Sequence, residues 1–315
     1  MKPFGALLSF EEAKRVVEAN IKPINRVETV NIDEAAGRVL AEEIVATLST
    51  PPFDRAAMDG YAVKAKDTFG SGQFKPKVLE IIGEINAGET PKERVSTGQC
   101  LQIATGAMMP KGADAVVMVE DTEAEGGRVK VFKAVYPKAN VAKKGEDIKA
   151  GESVLNQGSF LDASKIGVLA SQGLNKIKVY EKPKVAVLPS GEEVAEIGKK
   201  LRLGQVYDIN SHTVASVVEE NGGVPLKFGI VGDNREELRA KITEALENDM
   251  VVISGGSSVG ERDLLMVVLQ DMGEILFHGI QVKPGKPTIF ALIEGKPFFG
   301  MPGYPTSCLI NAYLF

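Results

Sequence analysis

The sequence predicts a multidomain α/β protein, with a small β-rich module in its N-terminal half and an α/β domain with a mostly parallel sheet in its C-terminal half. Three observations carry this. Short apolar runs alternate with amphipathic stretches from Pro183 onward. Between Thr50 and Val135, short β-branched runs are separated by Gly/Pro turns, the pattern of small antiparallel sheets. Ser254-Gly255-Gly256-Ser257-Ser258-Val259-Gly260 follows the apolar run Met250-Val251-Val252-Ile253 and precedes a helical pattern from Leu264 to Gln270. It therefore reads as a glycine-rich strand-to-helix turn.

Ser9-x-x-Glu12 is a capping box that opens a helix to about Glu18. Val27–Ile32 reads as a strand, and Asp33–Leu40 as a short helix broken at Gly37. The β-rich module contributes Val78–Ile82, Cys100–Ile103, Ala115–Val119 and Val129–Phe132. Asp162–Gln172 is helical, and Gly173 is placed to end it. Strand Lys184–Leu188, helix Ser211–Glu220, strand Leu226–Val231, helix Arg235–Glu247 and strand Met250–Ile253 then alternate. Parallel sheets bind ligands beyond the carboxyl ends of their strands. The loops at 189–193, 232–234 and 254–263 fall at that edge. The chain stops at Phe315 inside an apolar helical pattern, so further residues are expected in a longer parent protein.

Composition narrows the function. At 315 residues, 44% hydrophobic and 25% charged, the chain can build two or three ordinary cores. A net charge of −5 argues against a dedicated nucleic-acid binder. No apolar run approaches the ~20 residues of a membrane span, and no secretory signal pattern opens the chain, so a cytoplasmic protein is expected. Cys100 and Cys308 form no CxxC or Cys/His cluster, which argues against structural zinc. With only His212 and His278, a hydrolase triad or a histidine-rich metal centre is disfavoured, and any metal would be a hard one held by carboxylates.

The glycine loop exposes several N–H groups at the start of a helix, an arrangement suited to an oxyanion. A helix terminus alone contributes ~0.3–1 kcal/mol at an exposed site. More positive charge is therefore expected, and Lys283 and Lys286 could supply it. Each lysine–anion pair gains ~4 kcal/mol at ~4 Å and an effective dielectric near 20, before desolvation. Read plainly, they are solvated turn lysines, but the X-Pro steps of Lys283-Pro284-Gly285-Lys286-Pro287 favour a fixed geometry. Glu193 and Asp263 lie in loops at the ligand edge and are candidates for metal or substrate contact. Asp233 stands at capping-box spacing from Glu236, which by itself makes it an N-cap. Asp208 and Asn210 also read as caps. Pro51–Ala62 is a long irregular segment of the kind that carries function.

Several segments occur together in one order: Phe53-Asp54-x-x-Ala57-Met58-Asp59-Gly60-Tyr61-Ala62, Thr105-Gly106-Ala107, Gly145-Glu146-Asp147 and Ser190-Gly191-x-Glu193. Ser254-Gly255-Gly256-x-Ser258-Val259-Gly260-Glu261-x-Asp263, Pro284-Gly285-Lys286-Pro287 and Pro302-Gly303-x-Pro305 follow. In this the chain resembles the MoeA family of molybdopterin molybdenumtransferases, which includes the gephyrin E domain, from about Phe10 to its end. The resemblance implies an elongated homodimer with a discontinuous domain I (1–45 and 138–180), a β-rich domain II (46–137) and a Mog/MoaB-like α/β domain III (181–315). It implies that the family's C-terminal domain IV is absent from this chain, and that a Mog-like adenylyltransferase is a possible partner. It further implies exchange of AMP for molybdate on adenylylated molybdopterin with Mg²⁺. By motif position, Asp59, Glu193, Asp233 and Asp263 are the implied catalytic set, with Glu193 and Asp263 at the metal. Thr105, Asp147, Ser254, Gly255, Gly256, Ser258, Lys283, Lys286, Pro302 and Pro305 are the implied substrate set.

The sequence departs from the family at Met301, Tyr304 and Thr306 in the Pro302–Pro305 loop, at Ser257, and at Ala142 before Lys143-Lys144, which bears on fine substrate geometry and on molybdate against tungstate. Two other readings stay open: a Mog-like molybdopterin adenylyltransferase, which would not need the Asp54–Ala62 loop, and a non-catalytic scaffold of gephyrin E type.

Overall fold

The computed structural model describes residues 7–232, 234–255 and 264–315. Two compact units emerge: Met1–Glu28 with Tyr180–Phe315, and Thr29–Val179. Helix α1, Phe10–Asn20, begins at the capping box: Ser9 accepts from the Glu12 backbone N–H, and the Glu12 carboxylate accepts from the Ser9 N–H. Its buried face, Ala13 and Val17, packs in the core of the first unit. This contact division is coarser than the three-domain boundaries expected above.

In the Thr29–Val179 unit, six strands among the described residues form one sheet. They are β1 Gly60–Val63, β2 Lys77–Ile85, β3 Gln99–Ile103, β4 Ala115–Met118, β5 Thr122–Glu125 and β6 Arg128–Val131, in the order β4-β1-β3-β2-β6-β5. Only β2 and β3 pair in parallel. β1 is buried along its whole length, and Tyr61 and Val63 face one cluster while Ala62 faces another, as strand alternation requires. A separate core collects Leu40, Ile44, Leu155, Leu161 and Val179 around helix α2, Ala163–Ser171. Asp162 caps α2 by accepting from the Lys165 N–H, and Gly173 follows it at φ +72°.

The helix expected over 33–40 is a correction. Only a single 3₁₀ turn forms, Ile32–Glu34. Leu40 instead donates its N–H to the Ser159 carbonyl and bridges Val179. Gly37, at φ +75°, breaks the helical path before a second turn can form.

In the other unit, the strands are β7 Lys184–Pro189, β8 Val224–Lys227, β9 Met250–Ser254, β10 Gly273–His278, β11 Ile289–Ile293 and β12 Lys296–Met301. Their order is β8-β7-β9-β12-β11-β10. The first three pairings are parallel and the last two antiparallel, so the sheet is mixed. The antiparallel arm, which the mostly parallel reading missed, turns at Glu294-Gly295, a two-residue turn with both φ positive between apolar runs.

The strands are nearly continuous in apolar residues because helices cover both faces. Ala186, Leu188, Val251 and Ile253 pack under α4 (Arg235–Ala245) and α5 (Leu264–Met272). Val185, Val187, Val252 and Phe299 face α1, α3 (Asn210–Glu220) and α6 (Pro305–Leu314). The N-cap of α4 is Asn234, whose side chain accepts from the Glu236 and Glu237 N–H groups. This corrects the capping reading of Asp233, which itself lies outside the described residues.

One polar clamp ties the N-terminal segment to the start of the sheet. Arg26 forks onto Asp249 with bonds of 2.9 and 2.8 Å, and its Nε donates to Glu181 at 2.8 Å. Asp249 also accepts from the Lys184 N–H, at 2.8 Å. Burial pushes the Asp249 carboxyl up, but the Arg26 and Lys184 bonds outweigh it and hold the group below the usual carboxylate range. A depressed folded value gives stability that is present above the unfolded pKa of about 3.9 and is lost as pH falls through the folded value. Asp249→Asn should therefore melt below wild type at neutral pH, and the gap should close towards about pH 3. Thermal melts of both chains across pH 2–7 check this.

Candidate functional site

The carboxyl ends of β7, β9 and β12 converge at one edge of the mixed sheet, and the backbone approaches itself closely there. The Ser190 N–H donates to the Ser254 carbonyl at 2.8 Å, and the Gly255 N–H donates to the Met301 carbonyl at 3.1 Å. Gly255 sits at φ +97°, and a Cβ on it would lie 2.3 Å from the Ser190 carbonyl oxygen. A Cβ on Gly303 would lie 3.5 Å from the Gly255 Cα. Glycine is needed at position 255 for both conformation and space.

A cleft of about 300 Å³ opens beside this contact, with Ser190, Glu193, Asp208, Asn210, Ser254 and Tyr304 on its wall. Asp208 accepts from the Ser211 N–H at 3.0 Å and from the Ser211 hydroxyl, so its capping role holds, and it lines the cleft as well. Asn210 does more than start a helix: its Nδ2 donates to the Gly303 carbonyl at 2.9 Å. That bond fixes the amide orientation, because a flipped amide would set oxygen against oxygen. The Asn210 Oδ1 and the Ser254 Oγ are then both buried without a hydrogen-bond partner among the described residues. Each unsatisfied group costs about 1–3 kcal/mol, so this end of the cleft favours a polar ligand or ordered water.

Lys283 and Lys286 are exposed on the β10–β11 connection, at the same edge of the sheet. Neither pairs with a carboxylate among the described residues. The Lys286 carbonyl accepts from the Ile280 and Thr288 N–H groups, both at 2.9 Å, which fixes the turn. Glu193 is an exposed carboxylate, and Pro305 lines the cleft as the first residue of α6. Pro302 is buried just ahead of it. Burial, followed by the nearby Asp208 charge, pushes the Cys308 thiol up to about 12, so it is no nucleophile at neutral pH. Gly256, Ser258 and Asp263, like Asp233, lie outside the described residues.

Asp59, Thr105 and Asp147 belong to the other unit. The Thr105 N–H and hydroxyl both donate to Asp59 Oδ1, at 2.7 and 2.9 Å. The Thr105 backbone bond first, and its hydroxyl second, hold the Asp59 carboxyl below its ordinary range although it is exposed. Gly60 follows with no room for a side chain, since a Cβ would lie 1.9 Å from the Val117 carbonyl oxygen. The segment from Pro51 to Ala62 is held on both sides. Ala56 donates to Ala107 at 2.9 Å, and Asp54 accepts from the Lys144 N–H at 2.8 Å. Asp147 is exposed on the turn after Gly145, and its N–H donates to the Thr50 carbonyl at 3.0 Å. Asp59 and Thr105 are thus joined directly, while Asp147 stands on a neighbouring turn that holds the same loop.

Residues 8–173 match the family profile described as the MoeA N-terminal region (domain I and II), and 186–315 match the probable molybdopterin binding domain. The chain is 37% identical to the molybdopterin molybdenumtransferase of Haemophilus influenzae, over 98% of this chain and 75% of that protein. The chain belongs to the MoeA family. It is also 34% identical to a putative molybdopterin biosynthesis protein of Methanocaldococcus jannaschii, over 100% of this chain and 80% of the relative. Among solved structures, a MoeA protein from Pyrococcus horikoshii superposes with a TM-score of 0.86 at 36% identity, over 98% of this chain and 77% of that one. The MoeA-like multidomain α/β architecture is therefore established for this chain. No helix among the described residues is long and apolar enough to cross a membrane.

The Asp59–Thr105 pair generates a direct test. Thr105→Val removes the hydroxyl donor and leaves the larger backbone contribution in place. The Asp59 carboxyl should titrate at a higher pH than in wild type while still remaining below an ordinary aspartate. Carbon-detected NMR titration of Asp59 measures this, and an unchanged value would mean that the hydroxyl bond does not form in solution.

Proposed function

We propose that this chain catalyses the molybdopterin molybdenumtransferase reaction, in which adenylylated molybdopterin takes up molybdate and releases AMP. The observation that carries the reading is the composition of the sheet edge. Two lysines without carboxylate partners among the described residues stand at the same sheet edge as a cleft whose wall holds two buried polar atoms, Asn210 Oδ1 and Ser254 Oγ, without partners among those residues. A substrate that is anionic at one end and a nitrogen heterocycle at the other suits both features. Oxyanions accept hydrogen bonds and so suit the lysines, whereas Asn210 Oδ1 accepts only and needs an N–H or O–H.

In this reading Lys283 and Lys286 hold the phosphate and the incoming molybdate, with Ser254, Gly256 and Ser258 supplying further donors and Gly255 letting the backbone pass close to the substrate. Positive charge placed before the reaction stabilises the anion that develops as the phosphoanhydride opens. Asp59, kept ionised by Thr105, and Asp233 belong to the catalytic set, while Asp147, Pro302 and Pro305 belong to the substrate set. The donor set fits Mg²⁺, which takes one or two protein carboxylates and completes its shell with phosphates and water. Glu193 offers an exposed carboxylate on the cleft with no ion-pair partner among the described residues, and Asp263 is its proposed companion. Bound Mg²⁺ would offset charge on the phosphoanhydride. The reading includes the three-domain division, a homodimer, a cytoplasmic location and a Mog-like adenylyltransferase as the supplier of substrate.

Incubating the chain with adenylylated molybdopterin, molybdate and Mg²⁺ should release AMP. Lys283→Ala with Lys286→Ala should cut AMP release and weaken substrate binding at least tenfold, with the larger loss at low ionic strength where charge is least screened. Unchanged binding in the double variant at low salt would overturn the role given to the lysines. AMP release that is independent of molybdate would overturn the reaction.

A further inference from the structure

α6 carries an asparagine where packing alone asks for an apolar residue. Asn311 follows Leu309 and Ile310, is 0% exposed, and occupies a helix interior, where asparagine is a poor former. Its Nδ2 donates to the Gly285 carbonyl at 2.8 Å and also meets the Thr288 Oγ1. The Thr288 hydroxyl donates to the same Gly285 carbonyl at 2.9 Å. The Asn311 Oδ1 has no partner among the described residues. An aliphatic side chain would fill this space without stranding an oxygen, so the amide is a poor choice for stability alone.

What the amide provides is a fixed Gly285, between Lys283 and Lys286 in the chain. Gly285 lies at φ +119°, and a Cβ on it would fall 2.5 Å from Asn311 Oδ1 and 2.7 Å from its Nδ2. Helix and loop therefore meet amide against bare backbone, with no flexible side chain between them. The two donors on one carbonyl leave the turn little freedom to rotate. The same helix starts at Pro305, directly after the Pro302-Gly303 turn on the cleft wall. α6 is thus one rigid element that carries the cleft loop at its start and braces the lysine loop two turns later.

We propose that Asn311, seconded by Thr288, is a positioning residue for the reaction: it holds Lys283 and Lys286 at the spacing the anionic substrate needs. This rests on the role given to the lysines above. Because the action runs through the lysines, its effect should vanish when they are gone. A role in folding alone would persist.

Binding of adenylylated molybdopterin at low and high salt should be compared in wild type, Asn311→Ala, Lys283→Ala/Lys286→Ala and the triple variant. Asn311→Ala is expected to weaken binding at least fivefold at low salt and to flatten its salt dependence, while the triple variant binds within twofold of the lysine double variant. An additional fivefold loss in the triple variant, or wild-type affinity and salt dependence in Asn311→Ala, would overturn the proposal. If Asn311→Ala fails to fold, Thr288→Val removes one of the two donors and should show the same pattern with a smaller loss; wild-type behaviour there would also overturn it. Should the lysine double variant bind like wild type, the anion-holding role and this inference fall together. Loss in the lysine variant without loss in Asn311→Ala or Thr288→Val would remove this inference alone.

Discussion

Backbone must meet backbone at the carboxyl edge of the mixed sheet, and the arrangement of the candidate site depends on that contact. The Ser190 carbonyl occupies the place where a side chain on Gly255 would begin. The strand ends can close to this distance only because glycine stands there, and the Ser190 N–H bond to the Ser254 carbonyl extends the parallel ladder to the last residue of β9. The consequence is a wall of backbone on which small polar side chains are set without slack. Ser254 is 3% exposed and Asn210 9%, yet each keeps an atom that no group among the described residues satisfies. A well-packed edge that leaves such atoms unpaired is built for something other than its own stability.

The same device recurs in the β-rich part of the chain. Gly60 lets β1 approach Val117 to a distance that excludes any Cβ, and Asp59 immediately before it is aimed at Thr105. In both places a glycine removes the freedom of the neighbouring polar residue. Asp59 is exposed, but two donors from one residue hold one of its oxygens, so its charge and direction are set by bonds and not by burial. Preorganisation of this kind costs little at the moment of reaction, because the ordering is done when the chain folds.

Much of this could be read from the sequence, and what could not has a physical reason. The capping box at Ser9, the helix ended by Gly173 and the parallel strands were legible because each rests on neighbours in sequence. The segment 33–40 misled because its helical spacing is local, while the groups that claim Leu40, Ser159 and Val179, lie far along the chain. Asp233 misled because Asn234, one position on, satisfies two N–H groups at once. The resemblance singled out Glu193, Ser254, Gly255 and the lysines because they stand in motifs, and all of them lie at the carboxyl edge of the mixed sheet. Asn210 read as a helix start, and its bond to Gly303, 93 positions away, is invisible without the fold. Asn311 had a signal that could have been used: a lone amide inside an apolar helical run is expensive and invites the question of what it binds.

Asn210 and Asn311 answer that question in the same way. Each places its Nδ2 on a glycine carbonyl in a loop at the carboxyl edge of the sheet, Gly303 in one case and Gly285 in the other, and each leaves its Oδ1 without a partner among the described residues. Glycine makes these loops tight, but glycine also leaves a loop free to move, since it restricts its own backbone least. A donor from a helix onto the glycine carbonyl removes that freedom without adding bulk. The two sites differ in where the spare oxygen lies. Asn210 lines the open cleft, with its Oδ1 buried in the wall, whereas Asn311 is sealed in the interior and can only brace. One amide therefore sets a loop and also forms part of the cleft. The other sets a loop and does nothing else, so its effect on binding must pass through the two lysines that the loop carries.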